Sequence, residues 1–225
     1  MKRILAAIIA AALLLSGCTS ASRPAESAPP TGTPSPSPTP VVTPTPEPEP
    51  ADDELVLVRD YIPGIFIDLK YATTDNFTGQ VIYDSDEAYL RYGTVKKLLA
   101  AQNELSGRGL SLKIWDAYRP VSAQFKLWEI CPNPVYVSDP NNGYSKHSRA
   151  NTVDITLVTS TGESIPMPSG FDDFTSLADR DYSDVSAEAA ENARLLENVM
   201  VENGFVPYSG EWWHYSDSVS YDVYE

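Results

Sequence analysis

The chain has 225 residues, and its 31 aspartates and glutamates outnumber its 16 lysines and arginines, which gives a formal net charge of −15 at pH 7. This acidic excess argues against a partner such as nucleic acid and against electrostatic docking on anionic lipid, because both carry negative charge. Once the low-complexity N-terminal part is set aside, the remainder is long enough for one well-buried domain and short for two.

The N-terminus has the pattern of a secretory signal. Two basic residues precede an apolar run from Ile4 to Leu15, which is too short to span a bilayer and ends at the small-residue site before Cys18. Leu15 to Cys18 resembles the lipobox of bacterial lipoproteins. We therefore predict a lipoprotein signal peptide at residues 1–17 and lipidation of Cys18, which would hold the protein on the outer face of the cytoplasmic membrane. A plain signal peptide with an incidental cysteine is the alternative.

Residues 18–51 are predicted to be a Cys-anchored tether, since this segment is rich in Pro, Thr and Ser and has hardly any large apolar residue to bury. Its prolines favour an extended, semi-rigid spacer. Residues 52–225 are predicted to form the functional domain. Cys131 is then the only cysteine of that domain, so no internal disulfide is expected, and a buried, inert thiol is the simplest interpretation.

Hydrophobic periodicity and turn residues predict the elements of this domain. In chain order they are strands at Leu55–Val58 and Ile65–Leu69, a helix between Asp86 and Leu105 stopped by Gly107 and Gly109, a strand at Leu110–Trp115, a helix from Pro120 to about Ile130, a loop at Pro132–Gly143, a strand at Val153–Val158, a helix capped by Ser186 and ended by Gly204, and strands at Phe205–Pro207 and Trp212–Tyr215. The order shows no regular βαβ alternation. We predict a single compact α+β domain with a mainly antiparallel central sheet flanked by helices.

The chain has only two histidines, and both lie in clusters that could bind a metal. His147 precedes Asp154 by seven residues, and Asp154 interrupts an apolar strand, where a carboxylate is costly unless it is paired or bound to a metal. Together with His214 they provide two nitrogens and one oxygen, a set that leaves a fourth position open as catalytic zinc sites do. Taken singly, a packed histidine and a turn-capping aspartate are the commoner interpretations.

Two further residues are candidates for chemistry. Glu211 precedes His214 by three residues and is the candidate general base, but positions three apart on a strand point to opposite faces, so a bulge or irregular turn near Ser209 and Gly210 must bring them together. Arg119 follows a strand. It either forms an ion pair with Asp116 or presents its guanidinium to a substrate carbonyl or oxyanion, and composition does not decide between these two roles.

Four ordered motifs resemble those of the VanX-type D-alanyl-D-alanine dipeptidases. They are Tyr71–Gly79, Asp116–Pro120, Ser145–Arg149 with Asp154, and Glu211–His214. The resemblance runs from about Asp60 to Tyr215, nearly the whole domain. It implies a compact α+β fold with an antiparallel sheet, which the family shares with D,D-carboxypeptidases of the same superfamily.

The resemblance also implies roles for individual residues. One zinc ion would be bound by His147, Asp154 and His214, with Glu211 as general base, Arg119 stabilising the transition state, Tyr71 and Ser145 lining the substrate pocket, and Asp172 receiving the ammonium group of the dipeptide. A solvated acidic loop is the alternative for Asp172. The chain departs from the family pattern at Ala150, where many relatives have glycine, and at Thr152, so we expect a slightly different turn between the ligands.

The expected function is zinc-dependent hydrolysis of D-alanyl-D-alanine or a similar D,D-dipeptide outside the cytoplasmic membrane. The expected partners are this dipeptide or a cell-wall peptide and, through Cys18, the membrane; no nucleic acid is expected. Two alternatives remain open. One is a D,D-carboxypeptidase that trims terminal D-alanine from peptidoglycan peptides, and the other is a non-catalytic lipoprotein that binds wall peptides in the same pocket.

Overall fold

Regular secondary structure begins shortly after the Pro-rich segment. The computed structural model describes residues 48–224, so the predictions for the signal peptide, Cys18 and most of the tether lie outside the described residues. In chain order the elements are β1 (Leu55–Leu57), α1 (Val58–Tyr61), β2 (Phe66–Ile67), β3 (Tyr89–Arg91), α2 (Tyr92–Ser106), β4 (Leu110–Asp116), α3 (Val121–Ile130), β5 (Thr152–Thr159), α4 (Ala187–Glu202), β6 (Phe205–Tyr208) and β7 (Glu211–Asp217). Short 3₁₀ turns lie at Lys70–Ala72, Lys146–Arg149 and Ser176–Ala178.

Five strands form the central sheet in the order β2-β4-β5-β7-β6. The short β2 runs parallel to β4, and every other neighbouring pair in this sheet is antiparallel. Helix α2 packs against β4 and against α4, which in turn packs against β6. The prediction of a single α+β domain with helices flanking a mainly antiparallel sheet is confirmed, with the correction that the sheet is mixed because of β2.

The prediction of one helix between Asp86 and Leu105 is partly wrong. Tyr89–Arg91 form β3, which pairs antiparallel with β1 in a separate two-stranded sheet, and the helix begins only at Tyr92. Pairing with a strand that lies more than thirty residues earlier overrides the local helical spacing on which Tyr89 had been placed. The short helix α1 was not predicted, and Val58, predicted in the first strand, is its first residue.

Element ends differ by small amounts from those predicted. Pro120 precedes α3 as its N-cap instead of serving as its first residue. Ser186 caps α4 as predicted, because its side chain accepts a hydrogen bond from the backbone N–H of Ala189. Among residues 48–224 Cys131 has no disulfide partner; it is only partly buried, so the expectation of a buried thiol holds in part. Over residues 48–224, no helix has the length and apolar character needed to cross a bilayer.

Candidate functional site

Three neighbouring strands place acidic and imidazole side chains at the same level of the sheet. Asp116 at the end of β4 pairs with Asp154 on β5, and Asp154 pairs with His214 on β7. Asp116 and Asp154 are almost completely buried. The register of the strands therefore brings together groups that lie up to about a hundred residues apart in the sequence. Because burying a carboxylate costs free energy, both aspartates need compensating partners.

His147 is held in place by a tight turn that precedes β5. Ser145 caps this turn by accepting a hydrogen bond from the backbone N–H of His147, at 3.3 Å. The turn ends at Ala150, whose φ of 58° and ψ of 28° are the left-handed conformation that glycine favours. Ala150 thus adopts a conformation that glycine would adopt with less strain, and His147 lies beside the strand that carries Asp154.

His147, Asp154 and His214 converge on one point, as predicted. One ligand atom from each lies within 4.8 Å of the others. His147 Nε2 lies 3.3 Å from Asp154 Oδ2, and His214 Nδ1 lies 2.9 Å from Asp154 Oδ1. Zinc with bonds of about 2.0–2.1 Å in tetrahedral geometry separates its ligand atoms by roughly 3.3 Å, so the donor set suits this ion in chemistry and the two separations from Asp154 are close to that value.

The orientation of His147 also suits a metal ligand. Its Nδ1 lies 2.9 Å from the carbonyl oxygen of Ala117, so Nδ1–H donates to that oxygen and leaves the lone pair of Nε2 directed towards Asp154. The pKa of Asp154 is lowered despite burial, because the two imidazoles favour its ionised form. Burial lowers the pKa of His214, whereas the charges of Asp154 and Asp116 outweigh burial and raise the pKa of His147. An ionised carboxylate and a neutral imidazole are the protonation states in which these groups bind a metal.

Glu211 reaches the same point through an irregularity in β7. Pro207 of β6 pairs with Tyr215 and the next residue, Tyr208, pairs with Glu211, so three extra residues of β7 lie opposite one step of β6. This bulge brings Glu211 Oε2 to 3.4 Å from His214 Nδ1. The predicted bulge is confirmed, although it lies within β7 and not at Ser209 and Gly210. Burial, together with the charge of Asp154, raises the pKa of Glu211 to about 7.

Arg119 does form the ion pair with Asp116 that was one of its two predicted roles. Its Nη2 lies 2.5 Å and its Nε 3.2 Å from Asp116 Oδ2. Nη1 donates to the side-chain oxygen of Gln124 at 2.9 Å, and Nε also faces the hydroxyl of Tyr83 at 3.3 Å. A guanidinium has five N–H groups, so each terminal nitrogen keeps a second N–H beyond these contacts. The ion pair therefore fixes the guanidinium without using up its donors, and the two predicted roles are compatible.

Tyr71 and Asp172 are joined by a hydrogen bond beside Arg119. The Tyr71 hydroxyl donates to Asp172 Oδ2 at 2.9 Å, and the Arg119 guanidinium lies over the Tyr71 ring at 5.0 Å from its centre. Asp172 has a φ of 54°, and burial raises its pKa to about 8 although the hydrogen bond from Tyr71 opposes this rise. Asp172 is therefore partly buried and hydrogen-bonded, which does not fit a fully solvated acidic loop, the alternative considered for it.

Asp172→Asn should stabilise the protein, and by more at higher pH. The unfolded carboxyl has a pKa near 3.8 and the folded one near 8. The folded state therefore retains a proton that the unfolded state loses, so the free energy of unfolding of the wild type falls as the pH rises between these values. Asparagine lacks this proton and tolerates the left-handed backbone. The difference in Tm between variant and wild type should grow from pH 4 to pH 8; a constant difference would contradict a raised pKa.

Three residues of the site were not predicted from the sequence. Tyr83 donates a short hydrogen bond to Asp116, Gln124 holds Arg119, and Arg180 donates to the carbonyl oxygen of His214 at 3.1 Å while pairing with Glu197. Tyr83 and Arg180 each support a residue that lies more than thirty positions away in the sequence. Only Gln124, which follows Arg119 by five residues at the start of a predicted helix, could have been found from local spacing.

Comparisons with known proteins match this domain over most of its length. The peptidase M15 family model, described as D-ala-D-ala dipeptidase, matches residues 51–222. A D-alanyl-D-alanine dipeptidase of Escherichia coli is 39% identical over 162 residues, which cover 72% of this chain and 83% of that protein. Those of Enterococcus faecium and Streptomyces coelicolor are 35% and 36% identical over 69% and 72% of this chain, and over 87% and 91% of their own lengths.

Proposed function

The chain belongs to the D-ala-D-ala dipeptidase family of M15 metallopeptidases, and from this premise we propose that it uses one zinc ion to hydrolyse D-alanyl-D-alanine or a similar D,D-dipeptide outside the cytoplasmic membrane. The observation that carries the proposal is the convergence of His147, Asp154 and His214, with Glu211 beside them. The non-catalytic alternative predicts that a ligand or the base has been lost. All four groups are present, which favours an enzyme.

The zinc ion would be bound by His147 Nε2, Asp154 and His214 Nδ1. When bound, zinc polarises a carbonyl group and makes water a stronger acid, which is the chemistry that amide hydrolysis needs. The ring of His147 is oriented by the Ala117 carbonyl, and the backbone of His214 by Arg180. Such partners of the ligands keep the ligand atoms directed at one point.

The chain's own groups then act on the substrate and on the attacking water. Glu211 takes the proton from the water and delivers it to the leaving amine, so that one carboxylate serves both transfers. Arg119 places its remaining N–H groups next to the oxygen on which negative charge develops, and Asp116 keeps the guanidinium oriented. Ser145 fixes the turn that carries His147 by accepting a hydrogen bond from its backbone N–H, and we infer that its hydroxyl proton would be donated to the substrate.

Asp172 supports recognition of a free dipeptide. A dipeptide has an ammonium group close to its scissile bond, and the Asp172 carboxyl is hydrogen-bonded to Tyr71, whose ring lies beside Arg119. An arriving ammonium group would favour the ionised form of this carboxyl and so offset the cost of its burial. A carboxypeptidase acting on wall peptides would have no ammonium group to place there.

The proposed location rests on the N-terminal sequence alone. A lipidated Cys18 followed by the tether of residues 18–51 would hold the domain at the outer face of the membrane. An enzyme there does not meet dipeptide inside the cell, so scavenging of released dipeptide, or trimming of wall peptides, fits the location. The D,D-carboxypeptidase activity therefore remains the second candidate function.

One experiment separates these functions. Purified protein supplied with zinc is incubated with D-Ala-D-Ala, with L-Ala-L-Ala and with a muramyl pentapeptide, and free alanine is measured. Release from the D,D-dipeptide alone supports the dipeptidase, and release from the pentapeptide supports the carboxypeptidase. No release from any of the three, with zinc bound, supports the binding lipoprotein.

N-acetylation of D-Ala-D-Ala should slow its hydrolysis by about a hundredfold or more. Acetylation removes the ammonium charge that would favour the ionised form of Asp172 and adds bulk beside this carboxyl, so the contact that distinguishes the free dipeptide is lost. In Asp172→Asn most of the difference between the free and the acetylated dipeptide should disappear, whereas Asp173→Asn, on the adjacent residue, should keep it. Equal kcat/KM for the two substrates in the wild type would show that the pocket is open at this end.

A further inference from the structure

A second cavity, of about 390 Å³, lies next to the loop that carries Arg119. Tyr83, Tyr118 and Pro120 contribute to its lining, but none of the proposed metal ligands does, nor do Glu211, Tyr71 or Asp172. Its volume falls within the range typical of small-molecule sites. The cavity is therefore separate from the dipeptide pocket although it shares the Asp116–Pro120 loop with it.

The cavity combines apolar walls with aromatic rings. Leu55, Ile82 and Ala123 supply aliphatic surface, and Tyr83, Tyr89 and Tyr118 supply three phenol rings. Aliphatic surface favours an apolar body, and the faces of aromatic rings attract cations. The lining as a whole thus suits a ligand that is apolar along most of its length and positively charged at one end.

The charged side chains at the rim of the cavity also favour a positively charged ligand. Asp84 and Glu87 are exposed at the rim, and Lys126 is the one basic residue among the described residues that line the cavity. The Lys126 ammonium already donates to the carbonyl oxygen of Ile82 at 3.3 Å, and Glu87 accepts a hydrogen bond from the Tyr89 hydroxyl at 2.7 Å. The rim therefore carries two carboxylates and one ammonium group that is already hydrogen-bonded. This excess of negative charge favours binding of a cation and disfavours binding of an anion.

We propose that this cavity binds a small organic cation, an amine with a linear apolar body, with the ammonium group at the Asp84 and Glu87 rim and the hydrocarbon between the tyrosine rings. This proposal is independent of the peptidase activity. The two sites are nevertheless in contact, because the Tyr83 ring lines the cavity while its hydroxyl bonds both Asp116 and Arg119. An occupant would pack against the side chain that holds the Asp116–Arg119 pair.

Hexylammonium, hexanol and hexanoate are suitable probes, since they share one hydrocarbon chain and differ in charge. Each is titrated into ¹⁵N-labelled full-length protein, and Kd and the shifted backbone amides are read from NMR spectra. Hexylammonium should bind about tenfold more tightly than hexanol, as expected for an ammonium group beside two exposed carboxylates, and hexanoate more weakly still. The largest shifts should fall at Glu87, Tyr89 and Ala123. Equal or tighter binding of hexanol or hexanoate would overturn the proposal, as would no saturable binding of hexylammonium.

Variants locate the bound cation. Glu87→Gln should raise the Kd of hexylammonium about threefold, the effect of one exposed charge, while Asp86→Asn, which changes an exposed carboxylate outside the cavity lining, should leave it unchanged. Asp172→Asn should also leave it unchanged. Loss of binding in Asp172→Asn would place the cation in the dipeptide pocket and overturn the assignment. Because binding is measured directly, failure of the peptidase proposal would not affect this result.

Discussion

His147→Ala and His214→Ala should each empty the zinc site and lower turnover of D-Ala-D-Ala by about a thousandfold. The wild type should hold about one zinc per chain, and three protein ligands are the minimum for a catalytic zinc shell, so a two-ligand remnant should not retain the ion. Loss of a Lewis acid removes several kcal/mol of transition-state stabilisation, and each 1.4 kcal/mol corresponds to a factor of ten. Metal content is measured by elemental analysis after dialysis, and turnover by release of free D-alanine.

Lys146→Ala is the matched control for these variants, because Lys146 is the exposed neighbour of His147 in the same turn. This variant should keep both its zinc and its turnover. If His147→Ala and His214→Ala retained stoichiometric zinc, the ligand assignment would be wrong. If they lost zinc but kept their turnover, the reaction would not depend on the metal.

Glu211→Gln should lower turnover by about a hundredfold or more while leaving the zinc content unchanged. The substitution keeps the shape of the side chain and removes its ability to accept a proton, and general acid–base groups contribute on the order of 10²–10⁴-fold. The bulge in β7 places Glu211 beside His214 without making it one of the three proposed ligands. Metal binding should therefore not depend on its charge.

Glu163→Gln provides the control, since Glu163 is an exposed glutamate outside the site. Its turnover should equal that of the wild type. Normal turnover in Glu211→Gln would assign proton transfer to another group, and a loss of zinc in this variant would show that Glu211 contributes to metal binding.

Local signals predicted much of the fold. The α4 cap at Ser186 depends on residues that are close in sequence. Strand β5 could be predicted because it is a short, nearly continuous run of apolar and β-branched residues. The helix assigned around Tyr89 was wrong because β3 is stabilised by β1, a partner that the pattern at Tyr89 does not reveal. The strand β2 was predicted within Ile65–Leu69, but its parallel pairing with β4 was not, because only two residues pair and no local signal sets their direction.

The sequence identifies most residues of the candidate site, but it does not indicate the hydrogen bonds and ion pairs that join them. Two histidines in a chain of this length, and an aspartate within an apolar strand, are visible in the sequence. The contacts of Arg119 with Tyr83 and of Tyr71 with Asp172 join residues that are 36 and 101 positions apart, and nothing local indicates them. The bulge that unites Glu211 and His214 was required by the chemistry, but its position in β7 follows from the pairing with β6.

The pairing of β5 with β7 has a consequence for the integrity of the C-terminal part of the chain. Only three residue pairs join these strands, and Asp154 with His214 is one of them. These two side chains are 60 positions apart, so an ion held by both would close a long loop of the chain. In the folded state such an ion would act as a reversible cross-link between β5 and the hairpin of β6 and β7. Chelation would remove this cross-link and leave the hairpin held by its short ladder to β5 and by packing against α4, so the resistance of this part of the domain to local opening should fall when the metal is removed.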